Sequence, residues 1–248
     1  MALLARRLVG AAFALAGAFL VAQPSYAVDG VVLIDEAAVL AGGVTPGDGP
    51  GFPVQITVPG SYRLSSDLAP PAGNAFLIES NDVTLDLNGF TLQGAGIAFT
   101  DGIGTWGTNV EIRNGTVRNF GRHGIFSVNA RCDKCKVDAE SVRVIGVRAI
   151  GNGINGIRLE SQGGLVDGCS AHENGNAGIN VQGGGSLVQN SVARANVTYG
   201  IIGGGFGAGA GSGYRANVLT GNNGGDANPQ VHGGVNLGQN QCGLVVCP

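Results

Sequence analysis

The sequence predicts one all-β domain, a parallel β-helix in which a short unit winds about six or seven times around a single core. Three observations carry the prediction. Glycine supplies 46 of the 248 residues, against roughly 7% in ordinary chains. Within the repeated units Val, Ile and Leu recur in runs of three to five broken by Gly or Asn, and no such run is long enough for a helix of about ten residues. Finally, the chain repeats itself at a fixed period.

Two residue series show the repeat. Gly-Ile pairs stand at Gly124-Ile125, Gly156-Ile157, Gly178-Ile179 and Gly200-Ile201, spaced 32, 22 and 22. Asn152, Asn174, Asn196 and Asn222 are spaced 22, 22 and 26. Both series keep one period, so a single unit is repeated with insertions. The clearest copies begin near Val142, Leu165 and Leu187, looser ones near Val83, Val110 and Tyr214. The longest copy, between Gly124 and Gly156, carries Arg131 to Lys136, which is therefore expected as a loop protruding from the coil. A propeller blade needs about 40 residues of longer strands, and the fixed pattern of a leucine-rich repeat is absent. A coil with three short strands per turn fits. Its turns would stack at ~4.8 Å into a rod of roughly 30 Å.

Within such a coil, the Asn series is expected to form a ladder at one turn, each asparagine in left-handed geometry and its amide bonded to the amides above and below. Ala149, Ala171, Ala193 and Leu219, three residues before each Asn, and Ile157, Ile179 and Ile201 after the glycines are the expected inward stacks.

In chain order, Arg6 and Arg7, an apolar run from Leu8 to Ala22 and the small-residue site Ser25-Tyr26-Ala27 read as a cleaved signal peptide over residues 1–27. Residues 28–53 are read as a capping segment and loop. A short helix is expected from Ile34 to Gly43, Asp35 and Glu36 suiting its first turn and Gly42 its end. Residues 54–248 are read as the β-helix with its C-terminal tail. Val54 to Val58 alternates as a strand, Pro59-Gly60 turns, and Ser61 to Leu64 begins the next strand. The mature chain from Val28 onward is long enough for one domain with a real core, and no later segment reaches a membrane span. The protein is expected to be exported, to the periplasm or beyond. There disulfides form, which makes Cys242 with Cys247 a candidate terminal clip, and Cys132 with Cys135 either a local disulfide or free thiols in a loop; Cys169 is left as a buried thiol.

Val83-Thr84-Leu85-Asp86-Leu87-Asn88-Gly89-Phe90-Thr91-Leu92, Pro59 to Leu64 and the Asn and Gly-Ile repeats resemble bacterial right-handed β-helix repeat proteins, a functionally uncharacterised branch of the pectate-lyase-like superfamily. The resemblance covers most of the mature chain and implies a right-handed coil. It does not choose an activity, because that superfamily spans lyases, glycoside hydrolases, epimerases, esterases and adhesins.

Function is less legible. Without Arg6 and Arg7 the chain has 12 basic and 17 acidic residues, about −5, which gives no footprint for nucleic acid or anionic lipid. If the strand faces alternate as expected, Arg148, His172 and Arg194 form a small outward basic patch with Glu173 nearby, a candidate for uronate recognition and proton removal. Arg158 and Glu160 align with Asn180 and Gln182 on another strand, and Phe126 and Tyr199 offer aromatic contact. Asp86 is expected to serve its own turn. Neither the aspartate cluster of a Ca²⁺ site nor the paired carboxylates of a hydrolase can be seen, and no other metal site is indicated. No cofactor is therefore expected, Ca²⁺ entering only for a lyase. The glycine run Gly203 to Gly213 lacks the Lys-Ser/Thr and helix of a phosphate cradle and reads as an insertion. These readings favour a non-catalytic protein that binds carbohydrate or another envelope component, or a structural rod. The alternative is a lyase or epimerase acting on an acidic polysaccharide.

Overall fold

A computed structural model describes residues 30–128, 139–204 and 211–248. The signal segment 1–27 and the Cys132–Cys135 pair lie outside them. The chain is a parallel β-solenoid of about seven turns. One sheet of eight parallel strands follows chain order: Val54–Ile56, Phe76–Ile78, Ile103–Thr105, Ile125–Ser127, Ile157–Leu159, Ile179–Val181, Ile201–Gly203 and Val231–Gly233. The other sheet carries two columns, which run together in the long strands Val110–Arg118 and Arg143–Ile150. In the next turns they separate, as Leu165–Asp167 with Ser170–His172 and then Leu187–Gln189 with Val192–Arg194. Each such turn therefore has three strands, as the repeat predicts.

Register follows the period. Leu165 stands on Leu187, one repeat later in the chain. Ile125, Ile157, Ile179 and Ile201 form one inward stack. Ala149, Ala171, Ala193 and Leu219 form another, and all eight side chains are buried. Because strand side chains alternate, the residues between them face out.

The corners are single residues in the left-handed region. Asn114, Gly146, Gly168, Asn190 and Ala216 turn the chain between the two columns; Asn119, Gly151, Glu173, Ala195 and Gly221 turn it after the second. This corrects the expected geometry of the asparagine ladder. Asn152, Asn174, Asn196 and Asn222 are not themselves left-handed; the residue before each one is. That residue bends the backbone and delivers the following side chain inward, so the ladder lies inside the corner, where all four asparagines are buried. Each Asn Oδ1 from 174 onward accepts both the backbone N–H and the Nδ2 of the ladder residue one turn earlier, at 2.8–3.1 Å. Each Nδ2 also donates to a backbone carbonyl, Ala149 O for Asn174. Gln230, not anticipated, ends the series by accepting from Asn222 N and Nδ2 through Oε1.

Both ends are covered. The helix is Glu36–Ala41, shorter than expected, with Asp35 outside it as N-cap, its Oδ1 accepting from Ala38 N at 2.8 Å. Ile34 belongs instead to a strand, Val31–Ile34, that pairs with Gly60–Leu64. Val39 of the helix is buried in the core. At the other end Cys242 and Cys247 are disulfide-bonded, Val245 and Cys247 pack against the core, and the Tyr214 hydroxyl donates to Pro248 O. Cys169 is free and buried, and burial raises its thiol pKa to about 11.

Candidate functional site

The predicted basic patch lies on the second column. Ile150, His172 and Arg194 share one register line, and Arg148 belongs to the neighbouring line with Ser170 and Val192. Ala149, Ala171 and Ala193 between them point inward, so all three candidates face out. Arg148 is occupied, its Nε donating to Thr116 Oγ1 at 2.9 Å. His172 Nδ1 is 3.9 Å and Arg194 Nη2 4.0 Å from Glu173 Oε1. The Arg194 and Glu173 side chains are both 60% exposed, so solvent screens the pair. The structure thus brings His172, Arg194 and Glu173 together at the surface, with Arg148 bonded elsewhere. Asp86 serves its turn, accepting from Asn88 N at 2.9 Å, and additionally pairs with Arg113 at 3.2 Å.

A denser cluster lies on the outward face of the eight-stranded sheet. Gly104, Phe126, Arg158 and Asn180 occupy one register line. Arg122, at the corner before Phe126, donates from Nε to Asp101 Oδ1 at 2.8 Å and from Nη2 to Oδ2. This bidentate pair raises the arginine's pKa further and fixes its head, which lies over the Phe126 ring, 4.7 Å from its centroid. The Arg158 guanidinium is 5.6 Å from the same centroid and bonds Glu160 Oε1 at 2.5 Å. Gly104 is closely packed by its neighbours, since a Cβ there would lie 3.3 Å from Leu77 and 4.0 Å from Trp106. Two polar atoms of the cluster are enclosed and unpartnered: Arg158 Nε and Asn180 Oδ1.

His123 is buried beside this cluster, its ring 5.0 Å from that of Phe126. Its Nδ1 accepts from Asn155 N at 3.3 Å. Desolvation first, then the charges of Arg158 and Arg122, lower its pKa to about 3, so it is neutral at ordinary pH. His123 is one rung of a second ladder. Asp101 N donates to Asn74 Oδ1, His123 N to Asp101 Oδ1, and Ala177 N to Asn155 Oδ1.

Sequence reasoning aligned Arg158 with Asn180 and singled out Phe126, but missed Asp101, Arg122 and His123. The available signal was the residue before each Gly-Ile pair, including Asp101 ahead of Gly102-Ile103. Chemical variety hid that column, where Asn152 to Asn222 advertised theirs by identity. Among the described residues, no group of three or more His, Cys, Asp or Glu is placed to hold a metal ion, and no helix is long and apolar enough to cross a membrane.

No protein-family model matches the chain and no curated protein matches it. Among solved structures, the chain is similar to a mutant of the periplasmic alginate epimerase AlgG, with 16% identity and a TM-score of 0.41 over 73% of this chain. The match takes in 45% of the epimerase, so this chain spans less than half of its length. A likeness at that level carries no argument about activity.

Proposed function

We propose that this protein is an exported, non-catalytic carbohydrate-binding β-helix whose binding face is the outward side of the eight-stranded sheet around Phe126. The observation that carries the reading is the Phe126 ring flanked by two arginine heads, each held by its own carboxylate, Asp101 or Glu160. Guanidinium heads fixed over an apolar ring offer a sugar preset polar partners beside apolar surface, so binding costs little reordering. Flat parallel strands continue that surface across several turns, and a glycan chain can follow them. Export rests on the segment 1–27 alone.

The test is a glycan-array screen of the purified protein and its Phe126→Ala variant, with unsaturated-uronate absorbance read on the same panel. The expected result is binding that weakens about tenfold or more in the variant, the loss of one desolvated aromatic anchor, with no new absorbance. Unchanged binding by a folded Phe126→Ala protein would move the site elsewhere. Rising absorbance would replace the reading with a lyase and return attention to Arg148, His172 and Arg194.

A further inference from the structure

Resting on the carbohydrate reading, we infer that the Phe126 face selects a neutral, hydroxyl-bearing glycan over an anionic one, through Arg158 Nε and Asn180 Oδ1. Charge is the first part of the argument. Arg122 is paired with Asp101 and Arg158 with Glu160, so the cluster's two positive charges are already balanced by two carboxylates. An incoming carboxylate or sulfate adds negative charge to a cluster that is already balanced, and it meets Asp101 and Glu160 as like charges.

The unsatisfied atoms are the second part. Arg158 Nε is a donor without an acceptor, and Asn180 Oδ1 an acceptor without a donor. The two residues stand at one register position on paired strands, both facing out, and Asn180 is only 3% exposed. A hydroxyl accepts and donates at once, so glycan hydroxyls can serve both groups. A carboxylate accepts only and leaves Asn180 Oδ1 facing another oxygen. Both atoms are shielded in the free protein, so binding moves side chains at this face. Arg158, with 28% of its side chain exposed, is the one at the surface. Satisfying a buried orphan donor and a buried orphan acceptor recovers part of what each costs while unpaired.

Native affinity electrophoresis tests this with dextran, galactomannan and a soluble β-glucan as neutral probes and polygalacturonate and alginate as anionic ones, each at low and high salt. Retardation by at least one neutral polysaccharide, insensitive to salt, is expected. Asn180→Leu removes the acceptor. Arg158→Lys keeps the charge and removes Nε–H. Each is expected to weaken that retardation about tenfold, with His172→Ala as an unaffected control and thermal melts confirming that the variants fold. Salt-sensitive retardation by the anionic probes alone would overturn the inference and leave the carbohydrate reading standing. Neutral binding indifferent to either folded variant would overturn the role of these two atoms. Failure of both probe classes would bring down the carbohydrate reading itself, and this inference with it.

Discussion

Asn196 Oδ1 accepts two hydrogen bonds from Asn174, one from its backbone N–H at 3.0 Å and one from Nδ2 at 2.9 Å. Asn174 repeats the arrangement toward Asn152, at 3.0 and 3.1 Å, and its Nδ2 also donates to Ala149 O at 3.2 Å. Asn174→Ala therefore strips the acceptor from two buried donors of Asn152 and a donor from Ala149 O. At about 1–3 kcal/mol for each unsatisfied buried group, the loss should reach about 3 kcal/mol, read as a fall in the urea midpoint. Asn174→Asp keeps the acceptor but buries a carboxylate beside Ala149 O and Asn196 Oδ1. It should cost as much at neutral pH and recover partly in acid. A midpoint unmoved by Asn174→Ala would deny the ladder its stabilising role.

Gly124, Gly156, Gly178 and Gly200, each before an isoleucine, have a cause in the same ladder. A Cβ on Gly178 would lie 2.7 Å from Asn196 Nδ2 and 2.9 Å from Gly200 O, so Gly178→Ala has to push the ladder aside. Gly151 offers the contrast, with φ of 59° and open space around its missing Cβ. Glu173 and Ala195 already hold the matching corner with side chains. Gly151→Ala should cost about 1 kcal/mol for its backbone conformation, and Gly178→Ala about 2–4 kcal/mol as an overpacked site. Equal melting temperatures for the two variants would refute the distinction.

The same contrast explains how much could be read from the chain. Identical residues in stacked positions make a period visible, so Asn152, Asn174 and Asn196 and the isoleucines exposed the coil, its pitch and its inward stacks. The left-handed residue before each asparagine was hidden, because Gly151, Glu173 and Ala195 share a backbone angle and no chemistry. The site was hidden for a related reason. Arg122, Asp101 and Glu160 each lie a full turn or more along the chain from at least one partner in the cluster, and only the stacking of successive turns brings them to Phe126. His172 and Arg194 were found together because they are register neighbours, with Arg148 on the adjacent line, yet register alone does not enclose a site. His172→Ala and Arg194→Ala are accordingly expected to shift stability by no more than about 0.5 kcal/mol, a result that thermal melts of the two variants can contradict.

The Cys242–Cys247 bond closes a short loop, with a sequence separation of 5, in the tail that covers the last turn. Chain-entropy arguments assign so short a loop roughly 2 kcal/mol. Its effect is local, because solenoid turns contact chiefly their neighbours. The double variant Cys242→Ser/Cys247→Ser should thus become sensitive to proteolysis at the C-terminal turn, where Asn236 Nδ2 donates to Cys247 O, while turns near Ile157 and Ile179 stay protected in hydrogen exchange. Uniform loss of protection along the whole coil would show the tail to be required for the fold.

His123 makes stability depend on pH in a direction set by its burial. Its pKa falls from 6.5 in the unfolded chain to about 3 in the folded one, so the unfolded state binds the proton first. The contribution is fully present above pH 6.5 and is lost as pH falls toward 3, by about 1.4 kcal/mol per unit at most. Between pH 7 and pH 5 the loss from this residue is about 2 kcal/mol. Asn155 shows that an amide serves the next rung, accepting from Ala177 N at 3.1 Å, so His123→Asn can still offer Asn155 N an acceptor without titrating. Urea midpoints of the two proteins at pH 7 and pH 5 decide the matter. The variant should be spared the histidine's share of the loss over that interval. Parallel losses would mean that His123 is either protonated without penalty in the folded protein or more open to solvent than its position behind Phe126 and Arg122 allows.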